Sequence, residues 1–299
     1  DGIVQRSLAD GIVGSEPPTL SAETILEALR DGEDRPDDPL AGLLDPWLDL
    51  ARLLGERSAN LHHTLGSITS GPAFAPEPYS GFDRRSLYQS MRGLTARTIR
   101  SLRQASRRAG DSEMAQIERL LDRESDIYAR LRGILDVETA GYRLRGHGDF
   151  HLDQVLLTGD DVVFIDFEGE SDRFLEERRL KISPLRDVAS MLHSIQRASI
   201  DAIHRHRHEP GYAPEQAQSV AALLRTWCRH ASLAYLDRYN AVATEDGYLP
   251  PRFEDRATLI EAFLFERALY DLEYALDHHP DAIDRPLERV IQLLDTPSQ

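Results

Sequence analysis

Apolar residues recur at intervals of three and four over most of the chain, a rhythm that predicts a mainly helical protein. From Trp47 onward, Trp47, Leu50, Ala51, Leu54, Leu61 and Leu65 fit one face of a long helix ending near Gly66. A proline-rich loop from Gly71-Pro72 to Pro78 follows. Two more long helices are predicted over 83–109 and 111–138, the second striped by Met114, Ile117, Leu121, Ile127, Leu131 and Ile134. The same periodicity predicts helices over 185–203, 214–239, 253–277 and 286–294. The first 42 residues are rich in Asp, Gly, Pro and Glu. They carry one short helical pattern over 21–30, with Ser21 as its start and Gly32 as its stop, before a breaker-rich stretch over 31–39. This segment reads as a leader or connection outside the core, and residues 43–299 as the main lobe.

The rhythm breaks over residues 141–170. Val155-Leu156-Leu157 and Val162-Val163-Phe164-Ile165 are short β-type runs joined by Thr158-Gly159-Asp160-Asp161, which predicts a hairpin. Gln154 and Asp166 lie six residues to either side of Asp160. A tight turn there sets them opposite each other, with Asp149 on the loop leading in. Oxygen donors gathered in this way suit Mg²⁺, which is held by one or two protein groups plus phosphate oxygens and water. Phosphoryl transfer asks little else of a protein: one carboxylate to orient the attacking hydroxyl and take its proton, and ligands for the metal. Taken singly, His147-Gly148-Asp149 is an ordinary turn and Asp166 an ordinary strand-end carboxylate. Loop, hairpin and second carboxylate in combination favour the chemical reading.

Composition narrows the setting. Apolar content of 41% with 29% charged residues is ordinary for a globular protein. No apolar run approaches the roughly 20 residues of a membrane span, and no signal-peptide pattern opens the chain. The single cysteine, Cys228, cannot form an internal disulfide and reads as core filling, in keeping with a cytoplasmic location. The net charge of −16 repels nucleic acid and anionic membranes, so neither is an expected partner. It repels ATP as well, so a nucleotide site needs local positive charge, for which bound Mg²⁺ is the natural source.

The run His147-Gly148-Asp149-Phe150-His151-Leu152-Asp153-Gln154-Val155-Leu156, followed by Ile165-Asp166-Phe167-Glu168-Gly169-Glu170, closely resembles the maltokinases. These belong to the aminoglycoside-phosphotransferase-like kinases and are often fused to trehalose synthase. The similarity extends through Glu177-Arg178-Arg179, Ser183-Pro184-Leu185-Arg186-Asp187-Val188-Ala189 and Met191-Leu192. Upstream it reaches Ala51-Arg52-Leu53-Leu54-Gly55 and Arg85-Ser86-Leu87-Tyr88-Gln89-Ser90-Met91, so that it spans about residues 45–280. The resemblance implies a kinase-like C-terminal lobe that transfers the γ-phosphate of ATP to the anomeric hydroxyl of maltose. Asp149 would be the catalytic base in the loop 147–154, and Gln154 and Asp166 of the segment 162–170 the Mg²⁺ ligands. His147 and Asp187 would support the loop, and a fused or associated trehalose synthase would be the partner. Asp153 stands where the family usually has Gly, and Ser171 where it usually has Pro; both bear on loop rigidity.

Phe263, Arg267, Tyr270 and Tyr274 share one face of the helix over 253–277, either as a sugar-binding stripe or as a packed aromatic stripe. In the resembling family a Lys and two Tyr on this helix line the sugar site, with Arg267 here replacing the Lys. This makes Arg267, Tyr270 and Tyr274 substrate-binding candidates. Arg84 to Arg108 contains eight arginines and no acid, and reads as a solvated face balancing acidic neighbours or as a phosphate- or partner-binding face. His204, His206 and His208 alternate without completing a metal site and read as surface residues, as do His62-His63 and His278-His279.

Kinases of this superfamily also have an N-terminal β lobe with a phosphate-contacting lysine. The only lysine here, Lys181, follows the metal strand, and no glycine-rich loop or strand series precedes the helices. The expectation is therefore a chain with the N-terminal β lobe largely absent and its nucleotide-contacting residues unassigned. Two readings follow: the catalytic and acceptor-binding half of a maltokinase, or a non-catalytic carbohydrate-binding module derived from one. Glucosamine is an alternative acceptor, because the catalytic motif does not read the sugar.

Overall fold

Helices Ala22–Asp31 (α1), Leu40–Gly66 (α2), Gly81–Ala105 (α3), Asp111–Leu121 (α4) and Glu124–Asp136 (α5) form the first half of the fold. After them come strands Val155–Thr158 and Asp161–Phe164, then helices Leu175–Arg178 (α6), Pro184–Arg207 (α7), Pro214–Ala243 (α8), Phe253–His278 (α9) and Asp284–Leu294 (α10). Strands Glu77–Pro78 (β1) and Tyr142–Arg143 (β2) pair antiparallel, as do Val155–Thr158 (β3) and Asp161–Phe164 (β4). The computed structural model describes residues 4, 22–31, 40–170, 174–207 and 214–295; Ser21, Gly32, Ser171 and His208 lie outside them. Among the described residues no helix is long and apolar enough to cross a membrane.

Helix α9 is the axis of the packing. Leu259, Ile260, Phe263, Leu264, Phe265, Ala268, Leu269 and Leu272 are all buried along it. Helices α1, α3, α7 and α10 lie against α9, while α2 runs along α8. The periodicity placed the helices well, and the stripe of Ile117, Ile127, Leu131 and Ile134 is buried as expected, while packing moved several helix ends and the phase of α2. Helix α2 starts at Leu40 and carries Pro46 internally, at a cost of about 3 kcal/mol that burial of Leu43, Leu44 and Leu48 offsets. Its buried face is Leu44, Leu48, Ala51 and Leu54 with Ser58, Ala59 and His62, whereas Trp47 is exposed. The stripe read from Trp47, Leu61 and Leu65 is thus rotated from the true one.

Three other expectations are corrected. Residues 22–31 belong to the core, because Ile25, Leu26, Ala28 and Leu29 pack into its main cluster. The helix expected over 111–138 breaks at Asp122 and Arg123. There the Arg123 guanidinium reaches Asp295 (2.8 Å) and the carbonyl of Leu294 (2.5 Å), tying the break to the end of α10. Helix α3 begins at Gly81 rather than near Asp83, because Ser80 and Asp83 form a reciprocal capping box.

Gly55 sets how closely α2 can approach α8. A Cβ there would stand 2.3 Å from the carbonyl oxygen of Tyr235 and 3.0 Å from the amide nitrogen of Tyr239. Gly55→Ala is expected to lower stability by about 2 kcal/mol through forced separation of the two helices. Gly42→Ala, also in α2 but facing open space, is expected to raise stability by about 0.5 kcal/mol. Denaturant unfolding of the two variants reads both signs; a neutral Gly55→Ala would refute the close approach.

Candidate active site

The β3–β4 hairpin pairs Val155 with Phe164 and Thr158 with Asp161. Its turn therefore pivots between Gly159 and Asp160, half a residue from the symmetric arrangement read from the sequence. Gln154 faces Ile165 on the backbone, with the Ile165 amide donating to the Gln154 carbonyl at 3.0 Å. The Gln154 and Asp166 side chains still meet, since Gln154 Nε2 donates to Asp166 Oδ2 at 3.3 Å. Asp166 is exposed, and among the described residues no cationic side chain pairs with it. It also has φ +67°, the one non-glycine residue in the left-handed region among those described. Such a conformation costs about 1 kcal/mol or more and is commonly retained at functional positions. Gln154 and Asp166 provide hard oxygen donors, which fit Mg²⁺. Among the described residues no group of three His, Cys, Asp or Glu side chains could hold a metal, so the remaining ligands would be substrate oxygens and water.

The loop before the hairpin is pinned from below. Asp187, 1% exposed on α7, accepts the amide N–H of His147 at 2.8 Å on Oδ2 and that of Gly148 at 3.1 Å on Oδ1. Burial pushes the Asp187 carboxyl upward, but hydrogen bonds from His62 and these two amides outweigh it and hold the group ionised. Gly148 has φ +84°, a backbone turn open to glycine. The His147 ring donates from Nε2 to the carbonyl of Ile165 at 2.8 Å and packs between Phe150 and Phe167. Loop and hairpin are thereby fastened together.

Asp149 emerges from this loop half-buried. The His151 ring holds its carboxyl below the usual range against the opposing effect of burial, with Arg267 contributing. His151 Nε2 lies 3.5 Å from Asp149, and Arg267 Nη1 lies 3.9 Å from it. A cleft of about 470 Å³ opens from Asp149 along α9, past Glu170, Arg267, Tyr270 and Tyr274 to Arg289 of α10. Arg267 is shared among three carboxylates, with Glu170 at 2.7 Å and Asp271 at 3.3 Å besides Asp149, and it lies 5.6 Å from the centre of the Tyr270 ring. Tyr274, exposed, packs its ring on His278. Phe263 is buried in the core and lines an adjoining space of about 40 Å³ that shares Glu170, Arg267 and Tyr270 with the cleft.

The chain thus has a kinase-like helical lobe in which Asp149 lines a cleft and His151, 3.5 Å from both Asp149 and Gln154, links it to the hairpin. It belongs to the phosphotransferase enzyme family, whose model matches residues 44–217. A glucosamine kinase of Mycolicibacterium smegmatis is 30% identical over 152 residues, covering 51% of this chain and 35% of that protein. Among solved structures, a glucosamine kinase in complex with glucosamine, ADP and inorganic phosphate superposes with a TM-score of 0.66 at 20% identity. The match covers 91% of this chain and 59% of the other. A second crystal form of glucosamine kinase gives a TM-score of 0.66 at 19% identity, over 91% and 57%. The chain spans about a third to three-fifths of the length of these relatives.

Of the described residues read as surface or core filling, His62 and His206 depart from expectation and the others agree with it. His62 is buried, not a surface residue, and touches both Asp187 and Tyr239. His206 is buried as well, whereas His63 pairs with Asp246 at the surface, His204 pairs with Glu288, and His278 and His279 are exposed. Asp153 pairs with Arg197 at 2.7 Å. Lys181 bonds Glu77 and the Pro72 carbonyl, both at 2.6 Å, and so holds the proline-rich loop. In the arginine-rich α3, Arg97 and Arg103 pair with Glu273 and Glu124. Cys228 packs against the core, where burial pushes its thiol up to about 12.

Asp271 is the hub of the cleft floor. It accepts from His193 Nε2 at 2.9 Å and from Arg289 at 3.3 Å besides Arg267, which together hold it ionised against its burial. Those two arginines already compensate the carboxylate, so burial dominates at His193 and pushes it from 6.5 down to about 4. As pH falls, the unfolded chain protonates this imidazole first. The stability it contributes is complete above pH 6.5 and is lost as pH falls toward 4. The wild type is expected to lose about 3 kcal/mol more than His193→Gln between pH 7 and pH 4. Urea titrations at the two pH values measure this difference, and parallel losses would contradict the assignment.

Proposed function

We propose that this chain is the catalytic and acceptor-binding lobe of an ATP-dependent sugar kinase. The observation that carries the reading is a chain of contacts from the cleft to the hairpin: Asp149 lines the cleft with Arg267, Tyr270 and Tyr274, His151 lies 3.5 Å from both Asp149 and Gln154, and Gln154 meets Asp166. In the reaction, Asp149 accepts a hydrogen bond from the acceptor hydroxyl and takes its proton as the oxygen bonds to the γ-phosphorus. The bond from that phosphorus to the bridging oxygen breaks, and its electron pair leaves with ADP. An ionised, weakly basic carboxylate suits this step, because the transition state is loose and orientation matters more than proton affinity. Gln154 and Asp166 would hold Mg²⁺, which supplies charge neutralisation at the β- and γ-phosphates.

The acceptor proposed first is glucosamine, following the likeness to glucosamine kinases. Maltose is the second reading, favoured by the Asp166-Phe167-Glu168-Gly169-Glu170 string and by the length of the cleft. From Arg267 to Tyr274, α9 advances about 10 Å, which gives a second ring a place beyond the one beside Asp149. Arg267 and Tyr270 would bind the first ring and Tyr274 the second.

Full-length protein supplied with Mg·ATP is expected to phosphorylate glucosamine or maltose, and product analysis with each sugar separates the two. Asp149→Asn is expected to reduce kcat by about 1,000-fold or more while sugar binding by calorimetry persists. Undiminished turnover in that variant would remove Asp149 from the role of base. Sugar binding without turnover in the wild type would favour the non-catalytic carbohydrate-binding module instead.

A further inference from the structure

His62 stands on α2, remote in sequence from the loop and the hairpin, yet its ring ends on the carboxylate that fixes the loop. It is 3% exposed. Nε2 lies 3.2 Å from Asp187 Oδ2, and Nδ1 lies 2.8 Å from the hydroxyl oxygen of Tyr239 on α8. Asp187 is ionised and can only accept, so His62 Nε2 carries a proton and donates to it. On the far side of the ring, Nδ1 is within hydrogen-bond distance of the Tyr239 hydroxyl, which fixes the orientation in which Nε2 faces Asp187.

We propose that His62 is a positioning residue for the catalytic loop: together with Tyr239 it orients the Asp187 carboxylate so that both oxygens meet the His147 and Gly148 amides. The supporting geometry leaves little slack. Asp187 Oδ2 takes N–H groups from His147 and His62 together, and Oδ1 takes the one from Gly148. A Cβ at Gly146 would stand 2.7 Å from that same Oδ2, so the loop passes directly over the carboxylate. Asp149 directly follows Gly148 in the chain. A rotation of Asp187 would release the loop amides in turn and shift Asp149 relative to the cleft. The close approach of α2 to α8 at Gly55 belongs to the same device, because it brings His62 within reach of Tyr239. No step of the chemistry touches His62, so its effect is expected in loop order and turnover, with ligand affinity spared.

This inference rests on the role of Asp149 proposed above for its kinetic consequence, but not for its structural one. The structural readout is amide hydrogen exchange of peptides spanning 145–151 in the full-length protein. In His62→Ala, exchange there is expected to rise on the order of tenfold while the α9 core stays protected. His62→Gln, whose amide can place an N–H near the Nε2 position, is expected to recover most of the protection. In a turnover assay, His62→Ala is expected to reduce kcat by up to about 100-fold with KM for ATP and sugar within about threefold. Should His62→Ala fail to fold, Tyr239→Phe carries the test, since it removes only the hydroxyl and should raise loop exchange in the same peptides. Unchanged loop exchange in the folded variants would overturn the inference, as would an increase spread uniformly over the molecule. If the wild type shows no kinase activity, the exchange data still decide the role of His62, and the failure falls on the functional reading alone.

Discussion

An ionised carboxylate at the centre of a helical lobe has to be surrounded by donors, and Asp187 is the group on which the geometry of this site depends. Its removal from water is costly, which is why three N–H groups converge on it: two loop amides and one imidazole. Hydrogen bonds to a buried charge are stronger than neutral ones and are directional. The loop that supplies two of them is therefore held in one conformation rather than a family of them. His147 adds a second tie by bonding the carbonyl of Ile165 at the base of the hairpin. Loop and hairpin then move as one unit, and Asp149 and Asp166 keep their relation without touching each other.

The placement of charge continues from that centre outward. Inside the cleft, Asp149, Glu170 and Asp271 share Arg267, and Asp271 is further held by His193 and Arg289. Each of these acids has a cationic or hydrogen-bonding neighbour, so the cleft is nearly neutral although the chain carries −16. Asp166 is the exception, being exposed, without a cationic partner among the described residues, and in a left-handed conformation. A carboxylate left uncompensated among compensated ones is where an external cation gains most. For a polyphosphate approaching a strongly acidic protein, a cation there converts repulsion into binding.

The geometry of the candidate site was legible in the sequence because it is local. Asp149, Gln154 and Asp166 lie within 18 residues, and a hairpin of four-residue strands can bring them together with no knowledge of the rest of the fold. The pivot was misplaced by half a residue, which the side chains of Gln154 and Asp166 absorb. The helices were legible as elements, and the stripe of Ile117, Ile127, Leu131 and Ile134 was legible in phase too, but the phase of α2 was not. Taking Trp47 as an anchor rotated α2, because a large aromatic residue suggests burial, while the face that packs on α8 is built from small residues, Ala51, Gly55 and Ser58. That rotation hid His62. The stripe Leu44, Leu48, Ala51, Gly55, Ser58 and His62 has regular helical spacing, and following it would have turned His62 inward. The boundary near Asp122 was not legible, because it depends on Arg123 reaching α10, a contact between residues 172 positions apart.

The acceptor side shows where local reading stops. Arg267, Tyr270 and Tyr274 lie on one face of α9 by spacing alone, yet their surroundings come from three other elements. Glu170 arrives from the segment after the hairpin, Asp149 from the loop, and Arg289 from α10. A lysine in place of Arg267 would offer a single ammonium. The guanidinium instead meets Glu170 through Nη1 and Asp271 through Nε, with Asp149 at longer range. That fork fixes Arg267 across the floor of the cleft and sets Tyr270 beneath it. A sugar entering here would meet a rigid, charge-balanced floor and a more exposed aromatic ring at Tyr274. Selectivity between one ring and two would then rest on what Tyr274 and α10 offer beyond Arg267, and much less on the loop that carries Asp149.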